Sequence, residues 1–205
     1  MNREILFPTP IYFKMVKDPK KLNTYLFPLI KAWSKKVKTE KRTNWGGGWH
    51  SPTEMNYKKE YDPLTNELFT MQEEIYRDYG MEPKPGLGNM WANINYPGSY
   101  NKDHVHPNSQ WSGVYYVKVP KNSGHLFVED PRPGPNLLSP RRVDGLPRAL
   151  WRALSYPAIE GQMIMFPAWL PHGVQINNSK EKGEKGWRVS VSFNFIQIGK
   201  DGKRV

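Results

Sequence analysis

Three histidines and one arginine are the residues of this chain best suited to chemistry. His104 and His106 stand two apart in an Asp-His-Val-His-Pro stretch, and His172 follows far downstream between a proline and a glycine. Three neutral imidazoles that leave coordination positions open suit a redox-active divalent metal such as iron. Arg188 can hold a carboxylate through two parallel, charge-assisted hydrogen bonds. Together these residue types suggest an oxygenase that activates O2 on iron with the help of a small dicarboxylate.

The last stretch of the chain alternates apolar and polar residues, which predicts a strand with two different faces. The apolar face comprises Trp187, Val189, Val191, Phe193 and Phe195. The polar face comprises Arg188, Ser190, Ser192 and Asn194. One interpretation is an ordinary edge strand with a solvated face. The other is a pocket for an anion, because a single arginine flanked by small hydroxyl groups suits such a lining.

The spacing of the histidines is compatible with a shared site. Alternation puts His104 and His106 on the same side of an extended segment. His172 lies between Pro171, which fixes its own backbone φ angle, and Gly173, which allows conformations that other residues avoid. Any one of these histidines taken alone is equally compatible with a purely structural role. We interpret the remaining two histidines of the chain, at positions 50 and 125, mainly as structural.

Composition narrows the class of protein. The chain has 205 residues, of which 38% are hydrophobic and 13% aromatic, and it contains 19 prolines and 17 glycines. These values favour one domain rich in strands and turns over a helical bundle. The absence of cysteine excludes disulfides, thiolate metal sites, iron–sulfur clusters and cysteine nucleophiles. No apolar run approaches the roughly 20 residues of a membrane span, and the N-terminus does not read as a signal peptide. We therefore expect a cytoplasmic protein with no membrane partner.

The formal charge is +11, and the excess of basic residues is clustered in the N-terminal quarter, in 141–152 and in 180–185. One interpretation is a solvated basic surface. The other is a field that attracts an acidic substrate or a polyanion such as nucleic acid.

The order of predicted elements is helices first and strands afterwards. Asp18-Pro19 and Asp62-Pro63 each read as the start of a helix, with Pro28 expected to kink or split the first helix and Gly80 to end the second. Strands are predicted at 89–96, 111–119, 125–129, 161–166, 173–176 and 187–198. Residues 41–56 and 130–150 are expected to form loops. This order predicts an α+β, mainly β, single domain over 1–205, with a helical part at 1–82 packed on one face of a β part at 83–205.

Several stretches of the sequence resemble those of a known enzyme superfamily. They are residues 6–12, 47–51, 91–95, 104–107 with 112–117, and 171–174. In these stretches the chain is similar to the Fe(II)/2-oxoglutarate-dependent oxygenases. More narrowly, it resembles an uncharacterised 2-oxoglutarate-Fe(II) oxygenase family related to the prolyl 4-hydroxylases. The resembling stretches extend over nearly the whole chain, and the most specific is the His-x-His-Pro motif followed by Ser-Gly-Val-Tyr-Tyr.

The resemblance implies a double-stranded β-helix, or jelly-roll, core that holds iron through His104, His106 and His172. It implies that Arg188 binds the distal carboxylate of 2-oxoglutarate, with Ser190 beside it. An oxygenase of this kind consumes 2-oxoglutarate and O2, releases succinate and CO2, and most simply hydroxylates a further substrate, which the sequence does not identify. Three more polar residues are expected near the co-substrate. They are Asn93, Asn95 and Tyr116.

The sequence departs from the superfamily at one ligand position. The usual second ligand is a carboxylate, and position 106 is a histidine here. Asp103 is the nearest carboxylate, but it adjoins His104 and should point to the other side of an extended strand. A three-histidine site like that of thiol dioxygenases and a halogenase-like open position are both compatible with this pattern.

Two other classes of function remain open from sequence. A cupin-like metal-binding β-barrel without oxygenase activity would share the His-x-His pair, but it would normally have a glutamate ligand a few residues on. No glutamate lies between Pro107 and Glu129, and such a module has no need of Arg188. A basic nucleic-acid-binding protein would account for the charge, and it predicts salt-dependent binding with no metal requirement.

Overall fold

The computed structural model describes residues 1–2, 4–42, 44–81, 85–134, 148 and 151–198. Within these residues there are two α-helices, α1 (Pro19–Lys36) and α2 (Asp62–Asp78). The strands in chain order are β1 (Tyr12–Met15), β2 (Asn44–Trp45), β3 (Trp49–His50), β4 (Pro85–Asn95), β5 (Tyr100–His104), β6 (Trp111–Lys118), β7 (Leu126–Glu129), β8 (Ala153–Tyr156), β9 (Gln162–Pro167), β10 (His172–Val174) and β11 (Arg188–Gln197). No helix in this part of the chain is both long and apolar enough to cross a membrane.

The strands form two antiparallel sheets. The larger sheet has the order β1-β9-β6-β11-β4-β3, and the smaller has the order β2-β5-β10-β7-β8. A smaller apolar cluster unites side chains of the two sheets, among them Val114 and Phe166 from the larger and Leu126 and Val128 from the smaller. This is a jelly-roll with a mainly β composition, which confirms the predicted fold class.

Both helices pack on one face of the larger sheet. The main hydrophobic core unites buried residues of α1 and α2 with those of β4, β6, β9 and β11. Helix α1 begins as the sequence predicts, because the Asp18 side chain accepts a hydrogen bond from the Lys21 N–H at 3.0 Å and Pro19 occupies the first turn. The helix continues through Pro28 without splitting, and its buried residues Leu26 and Ile30 pack into the core on either side.

Strand β11 has the position that matters most for the site. It lies between β4 and β6 in the larger sheet and pairs with both over most of its length. Its apolar side chains enter the core beneath the helices, and its polar side chains face the interior between the two sheets. The interpretation of this strand as a solvated edge is therefore wrong, since Arg188 and Asn194 are both buried.

The structure contains strands that the sequence patterns did not predict. The 41–56 segment was expected to be a loop, but it contributes the two-residue strands β2 and β3, which pair with β5 and β4. Strands β5 and β8 were also missed. Residues 1–82 therefore supply strands to both sheets as well as the helices, while a single domain over 1–205 stays a prediction. The expected 130–150 loop lies largely outside the described residues.

Candidate metal centre

The three histidines predicted to bind metal come together at one end of the smaller sheet. His104 is the last residue of β5 and His172 is the first of β10, and the two are register partners on adjacent antiparallel strands. His106 lies just beyond β5, where its backbone N–H donates to the Ala168 carbonyl at 2.9 Å. One ring nitrogen from each histidine lies within 4.8 Å of the other two. Residues 66 positions apart thus form one imidazole cluster.

The two strand histidines have their rings fixed by backbone carbonyls. His104 Nδ1 lies 2.6 Å from the Lys102 oxygen, and His172 Nδ1 lies 2.8 Å from the Leu170 oxygen. A carbonyl can only accept, so each Nδ1 is the donor, and in the neutral ring each Nε2 keeps its lone pair. This is the arrangement found around metal-binding histidines, whose other ring nitrogen commonly donates to a carbonyl or a carboxylate.

Burial keeps the cluster neutral. Desolvation, with the neighbouring histidine charges as a second cause, lowers the pKa of His106 to about 3 and that of His172 to about 4. The pKa of His104 is lowered as well, again mainly by burial. Neutral imidazole is the form that a metal requires, so these groups need to release no proton at neutral pH in order to bind one.

These shifts predict that the metal-free protein loses stability on acidification. The unfolded histidines bind protons below about pH 6.5, whereas His106 and His172 in the folded protein stay neutral until about pH 3 and 4. The unfolded state binds more protons in this window, so the stability contribution is complete above about pH 6.5 and declines as the pH falls through it. Urea titrations of metal-free protein at pH 7, 6 and 5 measure the effect. His106→Gln is the control and should show a smaller decline, and equal declines would contradict the assignment.

Arg188 lies in the same interior cavity as the histidines. It is only 1% exposed, and burial lowers its pKa to about 10, so it remains a cation at neutral pH. Its Nη1 donates to the Ser123 carbonyl and, at 3.4 Å, to that of Gln175. Its Nη2 has no hydrogen-bond partner within the described part of the chain. A buried guanidinium with a free donor suits an anion that enters the cavity.

Three of the four other polar residues predicted for the site line the cavity, and the fourth does not. Asn93, Tyr116 and Ser190 line the cavity together with Arg188. Asn93 donates to the Ser192 hydroxyl at 3.1 Å and leaves its side-chain oxygen without a partner among the described residues. Burial raises the pKa of Tyr116 to about 12, so its hydroxyl keeps its proton and can donate. Asn95 is instead bonded to Asn101 at 3.1 Å, and only Asn101 reaches the cavity wall.

The remaining candidates lie outside the cluster. His50 is buried, with Nδ1 2.6 Å from the Ser51 carbonyl, and its ring stacks on Trp91 with ring centroids 5.6 Å apart. His125 is exposed. Asp103 faces the opposite side of β5, as its place next to His104 predicted, and it lines a groove on the outer surface of the smaller sheet. Its carboxylate lies against Gly173 there. Among the described residues, the ring cluster therefore has no carboxylate member.

Among the side chains that contact the cluster, Trp91 and Asn194 are two that sequence reasoning missed. Trp91 packs against the His106 ring with ring centroids 5.7 Å apart, and Asn194 places its side-chain nitrogen 3.5 Å from His106 Nδ1. Alternation had put Asn194 on the polar face of β11, but nothing in the sequence indicated which group it would meet.

Comparison with known proteins agrees with a metal-binding role for the three-histidine cluster. A family model described as "Putative 2OG-Fe(II) oxygenase" matches residues 89–194, which is just over half of the chain. No curated protein matches the sequence.

Three solved structures with this fold are informative. A Pseudomonas putida prolyl-4-hydroxylase is 14% identical with a TM-score of 0.62, covering 92% of this chain and 93% of its own. The epimerase SnoN of nogalamycin biosynthesis, in complex with Fe3+ and α-ketoglutarate, is 12% identical with a TM-score of 0.67, covering 93% and 80%. The viral collagen prolyl hydroxylase of Paramecium bursaria Chlorella virus-1, bound to 2-oxoglutarate, is 13% identical with a TM-score of 0.54, covering 90% and 95%.

Proposed function

The chain belongs to the 2OG-Fe(II) oxygenase family, and from that premise we propose that it hydroxylates an organic substrate. In this reaction one substrate C–H bond, 2-oxoglutarate and O2 are converted to an alcohol, succinate and CO2. The enzyme is an oxidoreductase whose cofactors are Fe(II) and 2-oxoglutarate. The observation that carries the proposal is one buried cavity in which three imidazoles converge beside an arginine whose Nη2 has no partner among the described residues.

His104, His106 and His172 are the proposed iron ligands. The donor set fits the metal, because the three rings are neutral and two of them carry a lone pair on Nε2, since their Nδ1 atoms donate to backbone carbonyls. A set of three neutral ligands differs from the common pair of histidines with one carboxylate, and it leaves the bound ion with its full double charge. Three protein ligands leave further coordination positions for the co-substrate and O2.

The proposed site for 2-oxoglutarate is the polar wall of the cavity. Arg188 binds the distal carboxylate with Nη2, the donor that the described part of the chain leaves unpaired. Ser190 and Tyr116 flank it as hydroxyl donors, and the Asn93 side chain faces the same space. Asn95 acts indirectly in this proposal, because its hydrogen bond to Asn101 orients a residue of the cavity wall.

The residues of this chain mainly orient the reactants and exclude water. A bound ferrous ion would supply the activation of O2. Val114, Leu126 and Phe166 form apolar walls of the cavity, which strengthens every electrostatic contact inside it. Arg188 is held in the cavity wall by strand β11, and its position therefore sets how far the co-substrate enters the cavity. The aromatic contact between Trp91 and His106 closes one side of the imidazole cluster.

The family match favours this function over the two alternatives from sequence. Neither a cupin-like metal-binding module nor a basic nucleic-acid-binding protein is expected to match an oxygenase family model over residues 89–194. The net charge of +11 favours an acidic substrate within the proposed reaction, because it attracts anions to the surface of the protein.

The proposal predicts succinate formation that depends on metal and O2. Purified protein is incubated with Fe(II) and 2-oxoglutarate without O2, O2 is then admitted, and succinate is measured over time. We expect slow turnover even without the hydroxylated substrate, and none when Fe(II) or O2 is left out. A cupin-like module would bind metal without consuming 2-oxoglutarate. Succinate at the level of the metal-free control, together with no binding of 2-oxoglutarate, would reject the oxygenase proposal.

A further inference from the structure

The carboxamide of Asn194 contacts His106 in the interior of the protein. Asn194 is 3% exposed, and its Nδ2 lies 3.5 Å from His106 Nδ1, at the long end of the hydrogen-bond range. Two neighbours hold the amide in place. Ser112 Oγ donates to Asn194 Oδ1 at 2.6 Å, and Asn194 Nδ2 donates to Asn89 Oδ1 at 2.7 Å. The side chains of three strands thus form one short polar network behind a single member of the histidine cluster.

His106 differs from the other two histidines in this respect. His104 and His172 each donate from Nδ1 to a backbone carbonyl, which is an acceptor in every state of the protein. The partner of His106 is a side-chain amide, which offers a donor at one end and an acceptor at the other. Only His106 can therefore exchange a donor for an acceptor at its second nitrogen without any movement of the backbone.

The hydrogen positions in the metal-free cluster follow from the carbonyl contacts. His172 carries its hydrogen on Nδ1, so its Nε2 is an acceptor. His106 Nε2 lies 3.2 Å from that atom, so a hydrogen bond between the two rings needs His106 Nε2 as its donor. His106 Nδ1 is then bare and accepts from the Asn194 amide. Once His106 Nε2 binds a metal, its hydrogen has to reside on Nδ1, which needs an acceptor in place of the amide N–H.

The network can supply that acceptor. A half-turn of the Asn194 amide brings Oδ1 to His106 and Nδ2 to Ser112, whose hydroxyl can accept as well as donate. A matching half-turn of Asn89 lets its amide donate to Asn194 Oδ1. Ser112, Asn194 and His106 Nδ1 each keep a partner in both arrangements, which is what makes a buried network of this kind tolerable.

We propose that Asn194, held by Ser112 and Asn89, is the positioning residue that orients His106 for metal binding and turns its amide when the metal is bound. This inference rests on the proposed function, because it takes His106 as a ligand. For His104 and His172, a backbone carbonyl accepts the Nδ1 hydrogen and so fixes the ring. For His106, the proposal gives this role to the Asn194 amide, which can present either a donor or an acceptor.

Two substitutions at position 194 separate positioning from simple packing. Asn194→Leu removes both polar ends, and we expect the affinity for Co(II), used as an air-stable probe, to fall about 10- to 100-fold, as is typical for the loss of a partner of a metal ligand. Asn194→Asp offers an acceptor at either end, and we expect it to keep the affinity of the native protein within about threefold. Ser192→Ala is the control on the same face of β11, since its hydroxyl contacts Asn93 and not His106.

A purely structural role predicts the opposite ranking, because a buried carboxylate is less tolerable than leucine. Equal affinities in all variants, or the weakest binding in Asn194→Asp, would overturn the inference. A second measurement needs no metal. In 15N NMR of the metal-free protein, His106 Nδ1 should lack a hydrogen in the native protein and carry one in Asn194→Asp, and an unchanged tautomer would also overturn it. Failure of the native protein to bind Co(II) would instead reject the proposed metal site, while the tautomer measurement still tests the network.

Discussion

Replacing His172 with alanine is expected to abolish metal binding and 2-oxoglutarate turnover together. His172 pairs directly with His104 across β10 and β5, and its Nε2 lies 3.2 Å from that of His106, so it is at the centre of the cluster. Loss of an outer partner of a metal ligand typically costs about 10- to 100-fold in affinity. Loss of one of the three proposed ligands should exceed that range. Isothermal titration with Co(II) and the iron content after reconstitution measure the effect.

Two other histidines provide matched controls for this experiment. His125→Ala changes an exposed side chain, and His50→Gln changes a buried one whose ring nitrogen contacts the Ser51 carbonyl. Both variants should bind Co(II) within about twofold of the native protein, provided that they fold. A His172→Ala protein with the native circular dichroism spectrum and unchanged iron stoichiometry would rule out His172 as a ligand.

Replacing Arg188 with methionine is expected to remove 2-oxoglutarate binding while metal binding persists. Methionine fills most of the same space without charge, and the carbonyls of Ser123 and Gln175 lose only one shared donor. Loss of one partner of a buried, hydrogen-bonded charge pair typically costs about 2–5 kcal/mol, which corresponds to a Kd for 2-oxoglutarate raised roughly 30- to several-thousand-fold. The measurement is 2-oxoglutarate titration of the Co(II)-loaded protein.

Arg188→Lys tests whether charge alone is enough. Lysine keeps the charge but lacks the planar fork, so it should restore only part of the affinity. Succinate has the same two carboxylates as the co-substrate but lacks the keto group that would reach the metal. Its affinity should therefore also fall from the native protein to Arg188→Lys and further to Arg188→Met. An Arg188→Met protein that binds 2-oxoglutarate with native affinity would show that the distal carboxylate lies elsewhere.

Much of the fold was predictable because its largest elements carry strong periodic patterns. The alternation along β11 predicted both of its faces, and Asp62-Pro63 with Gly80 downstream predicted the extent of α2, although Tyr61 rather than Asp62 occupies the N-cap position. Position on the polar face of β11 likewise predicted that Arg188 and Ser190 face a common space. The name of the fold, however, came from the resemblance in the histidine motifs and not from periodicity.

What the sequence did not reveal depends on partners that are distant along the chain. Strand β5 reads Tyr-Asn-Lys-Asp-His, a polar segment whose extended form is stabilised by pairing with β2 and β10. Strand β3 has only two residues, too few to show any alternation. The contact between Asn194 and His106 spans 88 positions, and no local rule relates such residues. These features arise only when the two sheets come together.

The outward orientation of Asp103 bears on how this site arose. Successive side chains of a strand point to opposite faces, so shifting β5 by one residue would bring Asp103 inside and turn His104 out to solvent. A shift in the register of β5 therefore cannot replace an imidazole with a carboxylate here without disrupting the histidine cluster. Codons for aspartate and histidine differ by a single base, so a point mutation is the short evolutionary route between a carboxylate and an imidazole at position 106, the proposed second ligand.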